Sequence, residues 1–230
     1  MPGSMVEFRA NGHTASGYLA LPPSGQGPGL IVIQEWWGLV PHITALTDRF
    51  AAAGFTALAP DLYHGKSTTS PDDAGKMLMA LNIQEAGKEM AGAADFLIAH
   101  PAVTSKSATK KVGILGFCMG GQLALYAGME FPDRIAAVVD FYGIHPKVKI
   151  IAMKVHVPVL GHFATRDTSV PADQVRKLAA DVVQAGGSFV THFYYADHAF
   201  FNDTRSAVYD RDSAELAWTR SLAFLREKVT

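Results

Sequence analysis

The strongest constraint on the fold is a set of short, largely apolar runs: "GLIVIQ" at 29–34, "KVGILGF" at 111–117, "IAAVVDFYG" at 135–143 and "VPVLGHFAT" at 157–165. A strand with no polar alternation needs apolar partners on both faces, which a parallel sheet covered on both sides provides. Helical patterns separate these runs. "HITALTDRFAAAG" stops at Gly54, and "FTALAPDLY" is the next strand. A long helical region then begins with Ser70 as N-cap and Pro71 at the first helical position, with a break near Asn82. "MGGQLALYAGM" is a helix continuing straight from a strand, and "PADQVRKLAADVVQAGG" is an amphipathic helix with Pro at its start and Gly at its end. "SFVTHFYY" is the last strand, "DSAELAWTRSLAFLREKV" the closing helix, and "VEFRA" with "TASGYLALP" an opening hairpin. The expectation is an α/β fold with a mostly parallel central sheet flanked by helices on both faces.

Composition narrows the function classes. The chain of 230 residues suits one sizeable domain, and 49% hydrophobic against 18% charged residues is a globular balance. A net charge of −1 without a basic stripe argues against nucleic acid as a partner. One cysteine excludes an internal disulfide framework and fits a reducing, cytoplasmic compartment. The stretch 112–129 carries no charge, but its glycines and Gln122 mark a buried strand turning into a buried helix rather than a membrane span. Gly3-Ser4 ahead of a second methionine reads as an expression scar at 1–4, leaving a domain from 5 to 230. A monomer or homodimer acting on a small molecule, without a cofactor, is the expectation.

Chemistry concentrates where strands end, since sites in such sheets lie beyond the carboxyl ends of the strands. Gly116-Phe117-Cys118-Met119-Gly120 has the form glycine, any residue, nucleophile, any residue, glycine, between a strand and a helix. The turn is too tight for side chains at either glycine. It leaves Cys118 at the tip, at a helix N-terminus that favours an anion. The alternative is that Cys118 is a small buried hydrophobe. Asp167, in "ATRDTSVP", and His198, in "YADHAFFN", each follow a strand and come in the order nucleophile, acid, histidine. Asp167 can hold one ring nitrogen of His198 so that the other takes the thiol proton. Individually Asp167 can instead be a helix cap and His198 a loop residue. Asp197, adjacent to His198, is poorly placed to pair with it. Glu35, at the end of "IVIQE" before Trp36 and Trp37, is either a site carboxylate or an anion paired with Arg49 or Arg205.

The pieces "QEWWG", "GFCMGG", "RD" with "VP", and "DHAFF" together resemble the dienelactone hydrolase family, a cysteine branch of the α/β-hydrolases, over nearly the whole chain. The resemblance implies an α/β-hydrolase fold and a triad of Cys118, Asp167 and His198. It also implies an oxyanion hole of the Trp36 and Met119 backbone N–H groups, and a Glu35 that helps deprotonate the thiol before swinging aside. Tyr142, in "DFYG", matches an aromatic near the substrate pocket. Dienelactone-cleaving members have an arginine four residues after the histidine; this chain has Asn202 there. Within 76–82 it offers only Lys76 where a second arginine is expected, and Arg205 lies at a shifted position. A less charged ester or lactone in an apolar pocket of Trp36, Trp37 and Phe200 is favoured, with His64 as a further candidate at its border.

Sulfur limits the substrates. A thiol ionises near pH 8.5, so the thiolate leaves a tetrahedral intermediate far more readily than an alkoxide. Enol lactones, aryl esters and thioesters, with better leaving groups, avoid that reversal, and aryl phosphotriesters are a candidate side substrate. The rival readings are a thioesterase and a non-catalytic binder of a small apolar ligand. None of the nine histidines has a zinc-type spacing, and His156, His162 and His192 read as hydrogen-bonded core or surface groups.

Overall fold

The computed structural model describes residues 2–105 and 110–229. The strands are β1 (Ser4–Ala10), β2 (His13–Ala20), β3 (Gly29–Ile33), β4 (Thr56–Pro60), β5 (Val112–Phe117), β6 (Ile135–Phe141), β7 (Val159–Ala164) and β8 (Phe189–Tyr194). They form one eight-stranded sheet in the order β1-β2-β4-β3-β5-β6-β7-β8. The first two strands make an antiparallel hairpin against β4, and every pair from β4 to β8 is parallel. The expected mostly parallel sheet is therefore found, with the hairpin as its antiparallel edge. Ser4, read from sequence as part of a scar, pairs with Leu19, and the Gly3 N–H donates to Asp48 at 2.9 Å.

The helices are α1 (Pro41–Ala52), α2 (Pro71–Ala80), α3 (Ile83–Ala99), α4 (Met119–Glu130), α5 (Ala172–Gln184) and α6 (Arg211–Lys228). Alternation along the buried strands assigns them to two faces. Leu30 and Val32 of β3 pack with Ile43, Leu46 and Phe50 of α1 and Leu225 of α6. Their neighbours Ile31 and Ile33 face the layer of Met90 and Leu97 from α3, Leu123 from α4 and Val182 from α5. The break near Asn82 is real: its side chain accepts from the Gln84 and Glu85 N–H groups and starts α3, as Ser70 caps α2 through the Asp73 N–H. No helix among the described residues is long and apolar enough to cross a membrane.

The strand order fixes where a ligand can sit. From β3 the chain crosses to β4 on one side, then returns to β5 on the other. The crevice beyond the ends of β3 and β5 is the switch point of an open parallel sheet. Glu35 follows β3 there, and Cys118 follows β5.

Candidate active site

Cys118 sits at φ 55°, ψ −120°, a backbone region that costs a side-chain-bearing residue free energy and persists only where surrounding contacts enforce it. Here the Cys118 N–H donates to the Phe141 carbonyl at 3.0 Å, and its own carbonyl accepts from Gly121 at 3.0 Å and Ile144 at 3.1 Å. A Cβ on Gly116 would run into the Gly120 carbonyl, and one on Gly120 would lie 2.5 Å from the Gln34 oxygen. Both glycines are thus required by close backbone approach, as the motif implied. The half-buried thiol stands at the start of α4, and the Met119 N–H belongs to the first turn, which has no intrahelical acceptor.

The loops after β7 and β8 bring the other two residues to this rim. Asp167 Oδ1 accepts from the Ser169 N–H at 2.8 Å and the Val170 N–H at 3.1 Å. That leaves Oδ2 for His198 Nδ1, at 2.6 Å. Asp167 is therefore no helix cap; α5 starts from Pro171. Asp197 points elsewhere, gripped by Arg166 at 2.9 and 3.2 Å, which ties the two loops together. Burial disfavours an imidazolium at His198, but the hydrogen bond with Asp167 and the neighbouring Cys118 sulfur outweigh it and raise the group to about 10.

Glu35 is 1% exposed. Its Oε2 accepts from the Asn202 side-chain amide at 2.8 Å. Burial raises its pKa, while the Asn202 hydrogen bond and the charges of His198 and Arg205 pull it back. Of the two arginines considered from sequence, Arg205 is the one near this carboxyl; Arg49 instead lies over the Trp218 ring, 3.9 Å from its centroid. Arg205 spans the Trp37 face at 5.6 Å. Lys76 pairs with Asp73 on the surface at 2.9 Å and lies outside the site.

Glu35, Cys118 and His198 share one cavity of about 230 Å³. Trp36, Trp37, Leu78, Ile144 and Pro146 give it apolar walls, and Arg205 adds a permanent cation. Three pocket expectations need correction. Tyr142 is wholly buried with its ring edge-on to His198 at 5.1 Å, and it packs against the imidazole without lining the cavity. Phe200 is equally buried against Tyr142 and Tyr194. His64 walls a different cavity, with Glu89. His162, by contrast, is the hydrogen-bonded core residue expected, between the Tyr194 and Ser221 hydroxyls at 2.8 and 2.9 Å. Leu78, Ile144, Pro146 and Ser169 were missed because nothing in their local pattern marks a cavity wall. Asn202 departs from the family pattern, and that polar substitution is the signal in the sequence for its contact with Glu35.

The model of the dienelactone hydrolase family matches residues 15–229. Protein usf of Aquifex pyrophilus is 41% identical, covering 99% of this chain and 100% of its own length. The carboxymethylenebutenolidase of a Pseudomonas species is 29% identical, over 97% of this chain and 94% of that one. A dienelactone hydrolase-like promiscuous phosphotriesterase from metagenomic libraries superposes with a TM-score of 0.86 at 21% identity, over 99% of this chain and 98% of that one, which speaks to the fold. With a family match across nearly all of its length and the α/β-hydrolase architecture beneath it, the chain is a hydrolase of the dienelactone hydrolase family.

Proposed function

We propose that the chain cleaves activated carboxylic esters or lactones through a thioester acyl-enzyme on Cys118. The observation that carries this reading is the shared rim: a thiol on a strained turn lines the same cavity as an imidazole whose Nδ1 is held at 2.6 Å by a buried carboxylate. His198, with its raised proton affinity, holds the thiol proton as an imidazolium, and the resulting Cys118 thiolate attacks the carbonyl carbon. The Met119 and Trp36 N–H groups receive the resulting oxyanion; losing one such donor costs an acyl-transfer enzyme about 3–4 kcal/mol of transition-state stabilisation. The intermediate collapses by breaking the bond to the leaving oxygen, which takes the proton back from His198. Water, deprotonated by the same imidazole, then attacks the thioester and releases the acid and the thiol.

Glu35 acts as a carboxyl reserve beside this pair. Burial favours its neutral form and Asn202 its charged form, so a small change in contacts on substrate entry shifts its proton affinity. Arg205 rests on Trp37 and its charge is offset by Glu35, which weakens it as an anchor for a substrate carboxylate. Together with the apolar walls, this favours esters or lactones whose non-reacting part is uncharged.

A panel of matched aryl and ethyl esters, lactones and thioesters, run on the protein and on Cys118→Ala, tests the reading. The aryl ester is expected to turn over at least ~10-fold faster than its ethyl counterpart, because the thiolate outcompetes ethoxide as a leaving group. Equal rates would contradict a sulfur nucleophile. An aryl phosphotriester belongs in the same panel, where attack of the thiolate at phosphorus would expel the phenolate.

A further inference from the structure

A second cluster of reactive side chains lies outside this cavity. His13 opens β2, His64 follows β4, and Glu89 lies in α3. His64 Nε2 is 2.9 Å and His13 Nε2 3.2 Å from the same oxygen, Glu89 Oε1. The three prospective ligand atoms all fall within 4.8 Å of one another. The carboxylate is 3% exposed, whereas the two imidazoles reach solvent at 44% and 61%. We propose that His13, His64 and Glu89 bind a divalent transition-metal ion of the zinc type, clipping the β1–β2 hairpin to α3.

Two imidazoles and a carboxylate are the donor set such ions take. In a tetrahedral shell with bonds of about 2.0–2.1 Å, neighbouring donor atoms stand about 3.3 Å apart. The nitrogen–oxygen separations of 2.9 and 3.2 Å are already close to that spacing. Both histidines are held from behind. His64 adopts φ 54°, fixed by Asp61, whose carboxylate accepts from the Tyr63 N–H at 3.1 Å and the Gly65 N–H at 2.5 Å. His13 follows the tight turn at Asn11 and Gly12, at φ 50° and 80°, and pairs with Ala10 across the hairpin. The ion takes the place of the Nε2 protons, each ring keeping its proton on Nδ1. The fourth position falls to water, beside a cavity of about 250 Å³ that His64 and Glu89 wall together with Glu85 and Asn82. Spacing could not reveal this set, because its members come from three separate elements.

Calorimetric titration of the full chain with zinc chloride tests the site. It is done in a Cys118→Ala background, which removes the thiol as a competing ligand. One equivalent is expected to bind and to raise the melting temperature, since the ion binds the folded state. His13→Gln and His64→Asn are each expected to weaken binding at least ~10-fold, the loss seen even when groups behind a ligand are removed. Asparagine is chosen at residue 64 because it tolerates the left-handed backbone there. Zinc-free melting temperatures establish that both variants fold, and His13→Gln, on an exposed hairpin tip, serves should the other fail. Absence of saturable binding, or an affinity unchanged in the folded variants, overturns the proposal.

Discussion

Replacing Asp167 by asparagine keeps the shape of the side chain while removing the charge behind His198. The imidazole is raised from 6.5 to about 10 against the opposing effect of burial, with the Asp167 hydrogen bond the leading upward cause and the Cys118 thiol next. A hydrogen bond to a charged group contributes about 1.5–3 kcal/mol, and one pH unit corresponds to 1.36 kcal/mol. The imidazole of Asp167→Asn should therefore ionise ~1–2 pH units lower. An amide facing Nδ1 can also donate to it, which puts the ring proton on Nε2 and leaves no lone pair for the thiol. In a triad that fault costs about four orders of magnitude in turnover.

The assay is the pH profile of kcat/KM on an aryl ester, whose alkaline limb reports the free enzyme's acid. The limb should descend by ~1–2 units and the plateau by at least ~10³-fold. Stability follows the same group. Because the folded value lies above the unfolded one, its contribution is fully present below about 6.5 and is lost as pH rises through about 10. The variant's deficit in melting temperature should therefore be largest in mild acid and close in alkali. An unmoved alkaline limb with near-normal turnover would refute the role given to Asp167.

Two further outcomes follow from the geometry. Gly120→Ala places a Cβ 2.5 Å from the Gln34 carbonyl and 2.6 Å from that of Ile33, both backbone atoms, so the turn must shift. A loss of at least ~1–3 kcal/mol in denaturant unfolding is expected, together with loss of turnover. Asn202→Leu removes the hydrogen bond that holds Glu35 toward its charged form. Glu35 should then titrate higher, and the acid limb of the pH profile, where it reports this carboxyl, should move to higher pH; a fixed limb would separate Glu35 from the reaction.

Much of this architecture was legible in the residues. Runs such as "GLIVI" and "VGILGF" lack polar alternation, and each is a strand buried on both faces. The flanking glycines of Cys118 announced a close backbone approach that the carbonyls of Gln34 and Gly120 now explain. Asp167 and His198 were found through strand ends and chain order. The pocket was harder. Tyr142 and Ala199 take positive φ values of 42° and 64°, and such reversals redirect side chains in ways periodicity does not encode. Tyr142 and Phe200 consequently face inward. Leu78 reaches the cavity from the last turn of α2, and Ile144 and Pro146 from a connecting loop. Their places depend on tertiary packing alone. His64 illustrates the same limit, since its turn aims it at Glu89 in α3.

The central claim is that Cys118 carries the acyl group. Mixing the protein with an aryl ester, quenching in acid before steady state and weighing the intact chain and its peptides tests that claim most directly. The account predicts one acyl adduct, confined to the peptide holding Cys118, formed with a burst of phenol and absent from Cys118→Ala. Turnover that persists in Cys118→Ala, or an adduct on another residue, would contradict it.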